Sequence, residues 1–325
     1  MSAHIRRRDL LLGAGGALLL GNRGAQAQSK RTYDNPRAMY EALRLQPAKS
    51  LVVAGGNIRL VFADGASGID RDRVTRWVAS CAEAVSTYFG RFPTQHYGLL
   101  IVAEEGNRVG RATTYGFGGS ATRINVGIEA TEQTFSRDWI LVHEMVHAAL
   151  PDLPRRALWL QEGNATWVEP VARAQAKQLS SADVWRQAIA GMPQGVRDSD
   201  AGGMDGTQEW GRLYWGGAIF WLLAEIAIYE HSKGRALLRD ALRAINRESG
   251  GNAVEWTPEK MMATGDAETG QSSLQRLYAE FASRPVSIDL DSIFKRLGVS
   301  RAAAGSVRFN ADAELAELTR RITLP

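Results

Sequence analysis

The chain has 325 residues, 45% hydrophobic, 23% charged and 8% aromatic, which is ample material for a core and excludes disordered, fibrous and multi-span membrane classes. Its 33 glycines against 10 prolines indicate tight turns rather than low complexity, and one domain with two lobes suits the length. The formal charge of +4 is largely local: Arg6, Arg7, Arg8 and Arg23 against Asp9 carry +3 of it, so no nucleic-acid partner is implied.

Residues 1–27 read as a cleaved signal peptide. A charged opening at Arg6-Arg7-Arg8-Asp9 precedes an uncharged run from Leu10 to Leu20, and Ala25-Gln26-Ala27 has the A-x-A form of a processing site. The paired arginines followed by Asp9, Leu10 and Leu11 resemble the twin-arginine export signal, which implies passage of a folded protein to the periplasm. The apolar run is too short to span a bilayer. Cys81 is the only cysteine, so the exported chain has no internal disulfide, and this thiol reads as a small buried side chain.

In the mature chain, Leu51–Val53 and Ile58–Phe62 flank Ala54-Gly55-Gly56-Asn57 as a hairpin. Val74, Trp77, Val78, Cys81, Val85, Tyr88 and Phe89 recur at helical spacing, predicting a helix from Arg71 that stops at Gly90. Strands are predicted at Tyr97–Ala103, Thr113–Phe117 and Arg123–Ile128. From about Thr131 the pattern becomes helical, interrupted by loops at Gly191–Gly206 and Ser249–Gln271. Residues 28–130 thus form an α/β lobe and 131–325 a helical lobe, together one α+β domain. Leu213–Ala224 is apolar enough to suggest a membrane span, but Glu225 cuts it at twelve residues, so it reads as a buried helix, with no span in the mature chain. The nine tryptophans, among them Trp139, Trp159, Trp167, Trp215 and Trp221, mostly sit in helical apolar patterns and read as core. Asn310–Leu324 reads as a capped amphipathic helix docked on the second lobe.

The chemistry concentrates in His143-Glu144-Met145-Val146-His147, inside a helix predicted over Ser136–Leu150. A separation of four residues puts both imidazoles on one helix face, where each can direct a nitrogen at a single Zn²⁺. Glu144 lies beside that face, within reach of a water on the metal. Nearly every neighbour is apolar, so three polar side chains there would be costly to desolvate without a partner. The bland alternative is mutual hydrogen bonding of two core histidines and a glutamate.

A catalytic zinc needs a third protein ligand. A histidine six positions beyond His147 would mark the metzincin class, but that residue is Leu153. Pro151 and Pro154 end the first helix, so the chain can return as a second helix that presents Glu162, fifteen positions beyond His147. Glu169, seven residues further on, competes as ligand or serves as the acceptor that orients an imidazole.

His143–His147 followed by Trp159-Leu160-Gln161-Glu162-Gly163-Asn164-Ala165 resembles the gluzincin metallopeptidases, with their HExxH and WLxEGxA segments. The resemblance implies a thermolysin-like zincin fold, His143, His147 and Glu162 as zinc ligands, and Glu144 as general base. Tyr214-Trp215-Gly216-Gly217-Ala218 is similar to a segment of the glycyl-aminopeptidase branch whose tyrosine faces the zinc. A donor to the oxyanion is expected near the metal, with Tyr214 the first choice and His231 a second. Aminopeptidases of this kind hold the free amine with a carboxylate in an upstream Gly-rich segment. The corresponding stretch here, Gly116 to Arg123, has no acidic residue, and Glu104, Glu105 and Glu129 are the available substitutes. The same stretch, as an edge strand, would suit pairing with an extended substrate.

The expectation is an exported zinc peptidase that hydrolyses peptide bonds by metal-activated water, with peptide or protein substrates and endo- versus aminopeptidase action open. A catalytically silent zinc-containing binding protein, or a zinc hydrolase of a non-peptide bond, is the alternative.

Overall fold

The computed structural model describes residues 33–196 and 202–325. The signal sequence expected at 1–27 lies outside them. Asn35 caps α1 (Pro36–Leu45), accepting from the amide of Arg37 with Pro36 in the first turn. The hairpin comes next as β1 (Ala48–Val53) and β2 (Gly56–Phe62). Helix α2 (Arg71–Phe89) is capped by Asp70 and stopped by Gly90 at φ +77°, a left-handed backbone that glycine adopts without penalty.

Strands β3 (His96–Glu104), β4 (Val109–Tyr115) and β5 (Ala121–Gly127) complete a mixed sheet of order β1-β2-β3-β5-β4. β2, β3 and β5 are mutually parallel, while β4 is antiparallel to β5 and forms an edge. The sheet and the helical half share one apolar core, in which Leu99, Ile101 and Ile124 pack with Leu141, Met145, Trp159 and Phe220, all fully buried. Cys81 lies in that core, where burial pushes its thiol well above the ordinary range.

The helical part differs from the sequence pattern in four places. The helix expected over Ser136–Leu150 is two: α3 (Glu132–Arg137) and α4 (Ile140–His147). Asp138 separates them, with extended backbone and a carboxylate that accepts from the amides of Ile140 (3.1 Å) and Leu141 (3.2 Å). An aspartate read as mid-helix therefore ends one helix and satisfies the first two amides of the next. The loop expected at Gly191–Gly206 is helical as far as Val196 in α6 (Ser181–Val196), because Gly191 and Gly195 let that helix press against Trp215 and Gly216. The second expected loop, Ser249–Gln271, contains α9 (Pro258–Thr269), begun by Thr257 as cap and Pro258 in the first turn. The C-terminal helix is only α12 (Ala316–Ile322).

Between these elements run α5 (Leu158–Gln175), a π-helical turn at Arg212–Gly216, α7 (Gly217–His231) and α8 (Leu238–Ser249). After α9 come α10 (Ser273–Ser283), α11 (Leu290–Leu297) and a small ribbon of β6 (Val299–Arg301) with β7 (Val307–Phe309). Glu225 does not end the apolar helix; it is buried within α7 and accepts from the amide of Leu238 at 2.8 Å. Among the described residues no helix is long and apolar enough to cross a membrane.

Helices α5 and α7 cross in backbone contact. A Cβ placed on Gly163 would lie 2.2 Å from the carbonyl carbon of Gly217, and one on Gly217 would lie 2.2 Å from Trp159 O. The indole of Trp221 donates to Leu160 O at 2.9 Å and ties the same crossing.

Candidate metal centre

Helix α4 presents His143 and His147 one turn apart, and α5 returns with Glu162 after Pro151 and Pro154 have turned the chain. All three side chains are buried. Ligand atoms of the three lie within 4.8 Å of one another. His143 Nε2 stands 3.4 Å from Glu162 Oε2, and His147 Nε2 stands 3.3 Å from the same oxygen.

The His143–Glu162 contact lies at the long end of hydrogen-bonding range, beyond the usual distance of about 2.7–3.2 Å. Zinc bonds of about 2.0–2.2 Å at tetrahedral angles put neighbouring ligand atoms about 3.3–3.6 Å apart. The donor set therefore suits zinc in chemistry, and its two histidine–glutamate separations match those of neighbouring zinc ligands. A cavity of about 60 Å³ opens beside His147 and Glu162, bounded by Thr114, Tyr115 and Phe117 from the end of the edge strand and by Asp152, Gln161 and Asn252. That is room for solvent next to an ion.

Glu144 is buried, and its Oε2 accepts from Thr114 Oγ1 at 2.6 Å. It is thus held from the sheet, while the two histidines that flank its turn face Glu162. The ring of Tyr214, in the π-helical turn, stacks on His143 at 6.0 Å between centroids and 16° between planes. Trp210 in turn stacks on Tyr214, with centroids 5.2 Å apart. A π-turn widens a helix locally and commonly marks a functional site; here it sets the Tyr214 ring beside the imidazole.

The other residues singled out in the sequence take places outside the triad. Glu169 is buried on α5 and pairs with Arg173 at 2.9 Å; burial raises its carboxyl to about 7 in spite of that cation. His231 is exposed at the far end of α7, bonded to Ala227 O and in contact with Arg276, roughly 25 Å of helix from Tyr214. It is no candidate for the oxyanion. Glu104 pairs in register with Gly127, five residues along β5 from Thr122, or roughly 16 Å. Glu105 and Glu129 are exposed at that same end of the sheet, so none of the three replaces the amine-binding carboxylate. Trp139, read as core, is half exposed and meets His143 edge-on at 5.5 Å.

Sequence reasoning missed Thr114, Asp152 and Asn252, since nothing in a strand threonine or a loop aspartate signals a metal cleft. Beyond Phe117 lies a larger cavity of about 1000 Å³ between α1 and the hairpin, which no ligand of the triad lines.

No protein-family model matches the sequence, and no curated protein does. Among solved structures, the fold is similar to that of an aminopeptidase N family protein from Idiomarina loihiensis, with a TM-score of 0.56 and 14% identity over 78% of this chain and 49% of that one. An M1 zinc metallopeptidase from Deinococcus radiodurans gives 0.43 and 14%, over 75% of this chain and 53% of that one. The chain spans about half the length of these structures. The mixed sheet with its helical half is therefore an arrangement shared with a domain of the aminopeptidase N type.

Proposed function

We propose that this chain is a zinc-dependent peptidase in which His143, His147 and Glu162 hold the metal and Glu144 is the general base. The observation that carries the reading is the convergence of the three buried side chains, with ligand atoms within 4.8 Å of one another and a cavity beside them. The shared fold supports it. Bound zinc would supply Lewis acidity, lowering the pKa of its water and polarising a carbonyl.

The residues of the chain do the rest. Glu144 takes the proton of the attacking water and delivers it to the leaving amine. Tyr214, held against His143, donates to the carbonyl oxygen as charge develops there. Substrate backbone lies along the free edge of β4, whose other edge pairs with β5. With no carboxylate in the Gly116–Arg123 stretch, internal peptide bonds are the better substrates than N-terminal residues. The leader at 1–27 supports action in the periplasm after export.

The test is a diverse peptide library incubated with the zinc-loaded mature protein, with and without chelator, alongside Glu144→Gln. Chelator-sensitive cleavage within peptides is expected, with Glu144→Gln retaining zinc and losing nearly all turnover. Peptide binding without products would return the chain to a scaffold, and wild-type cleavage by Glu144→Gln would overturn the assignment of the base.

A further inference from the structure

We infer that Thr114, Thr122 and Tyr97 form a buried hydroxyl relay that aims the Glu144 carboxylate, with Thr114 as its positioning residue. The inference rests on the peptidase reading and extends it to residues that no motif contains. The four side chains come from β3, β4, β5 and α4 and are all buried, with Tyr97 and Thr122 essentially inaccessible. Thr114 and Thr122 stand directly opposite in the β4–β5 register, and Leu99 opposes Thr122 across β5–β3. Tyr97, two residues from Leu99, therefore shares that face of the sheet. Their hydroxyls connect in sequence: Tyr97 OH to Thr122 Oγ1, Thr122 Oγ1 to Thr114 Oγ1 at 2.5 Å, and Thr114 Oγ1 to Glu144 Oε2 at 2.6 Å.

Proton counting sets the direction. As the general base of the proposed reaction Glu144 is a carboxylate that only accepts, so in that role Thr114 spends its one proton on Glu144 and accepts from Thr122, which in turn accepts from Tyr97. Three hydroxyls then donate the same way, and each bond polarises the next. The last bond is charge-assisted, and Thr114 Oγ1 also lies 3.0 Å from Glu144 O, so the hydroxyl touches both the backbone and the head group of one residue. A carboxylate on a flexible stem has several rotamers. Holding one of its oxygens from the sheet selects the rotamer in which the other side of the group takes a proton. The base is thereby aligned by the sheet, while the metal ligands are aligned by α4 and α5.

Thr114→Val keeps shape and removes the donor; Thr114→Ser restores it; Tyr97→Phe removes only the far end. Each is prepared zinc-loaded, with zinc per chain measured. Against a peptide cleaved by the wild type, Thr114→Val is expected to lose roughly 10–100-fold in kcat with KM near wild type. Thr114→Ser should recover most of the loss, and Tyr97→Phe should lose several-fold. A second readout needs no turnover. Acetohydroxamate gives up a proton to a neighbouring base when it chelates zinc, so its affinity by calorimetry should fall in Thr114→Val and return in Thr114→Ser. Wild-type kcat and hydroxamate affinity in a folded, zinc-loaded Thr114→Val overturns the relay. If Thr114→Val does not fold, unchanged kcat and affinity in Tyr97→Phe overturn it instead. Glu144→Gln separates the two levels: an active Glu144→Gln sinks the peptidase mechanism, whereas an inactive one beside a wild-type Thr114→Val sinks the relay alone.

Discussion

Replacing Gly163 by alanine tests whether the ligand helix is placed by backbone contact. In an ordinary helix interior the change stabilises by about 1 kcal/mol, because glycine is the poorer helix former. Here the new Cβ would lie 2.2 Å from Gly217 C, 2.3 Å from its Cα and 2.7 Å from its oxygen. All are backbone atoms, so no side chain can swing away. Ordinary contact begins near 3.4 Å, so α5 and α7 must part by about 1.2 Å. Overpacking of this kind costs about 1–3 kcal/mol, enough to cancel the propensity gain and more. The displacement falls between Glu162, the preceding residue, and Tyr214, three residues before Gly217. A shift near 1 Å in a catalytic arrangement costs on the order of 100-fold in rate. The expected result is a Tm lowered by a few degrees, weaker zinc binding by competition with a chromophoric chelator, and turnover reduced about a hundredfold. A raised Tm with wild-type zinc affinity would refute the idea that this crossing sets the site.

The geometry makes three more outcomes measurable. Glu162→Ala should abolish stoichiometric zinc binding, and chelator should lower the Tm of the wild type but not of this variant; an equal chelator effect on both would place the metal elsewhere. Tyr214→Phe should lower kcat with little change in KM and retain zinc, since the ring still stacks on His143; a normal kcat makes Tyr214 a packing residue. Burial raises the Glu225 carboxyl from 4.5 to about 7, so the folded chain keeps a proton that the unfolded chain releases. Stability from this group accordingly falls as pH rises from about 4.5 through 7. Glu225→Gln keeps the acceptor for Leu238 and should stabilise at pH 8 by roughly 3 kcal/mol at most, and little at pH 5. Equal gains at both pH values in thermal melts would show that the carboxyl is not protonated in the fold.

The features legible in the sequence are those that a single period or punctuation mark carries. Helix α2 shows its apolar face and its Gly90 stop, and the hairpin of β1 and β2 shows its turn. His143 and His147 need only the fact that four residues make about one turn. The pairing of Glu162 with them is harder, because it depends on how the chain turns through Pro151 and Pro154. Asp138 looks like one more residue of a helix, since a cap in mid-pattern differs from a helical aspartate only in its backbone. Helix α9 looks like a loop, although Thr257-Pro258 is a good start signal, because its apolar residues form no strong stripe. Thr114 and Thr122 are out of reach: a strand hydroxyl gains meaning only when register puts it opposite another and a helix lays a carboxylate over both.

The far end of the Glu162 helix is secured late. Gln175, in the last turn of α5, donates from its buried amide to Ile322 O at 2.8 Å, and Arg239 reaches Leu324 O at 2.7 Å. The helix that carries Glu162, the proposed third ligand, is thus anchored by residues some 150 positions downstream, which a ribosome working at about 5–20 residues per second adds roughly 7–30 s later. If the proposed zinc site is right, loading of the ion belongs after translation of the helical half, and a nascent chain stalled short of α12 should carry the motif without a settled centre.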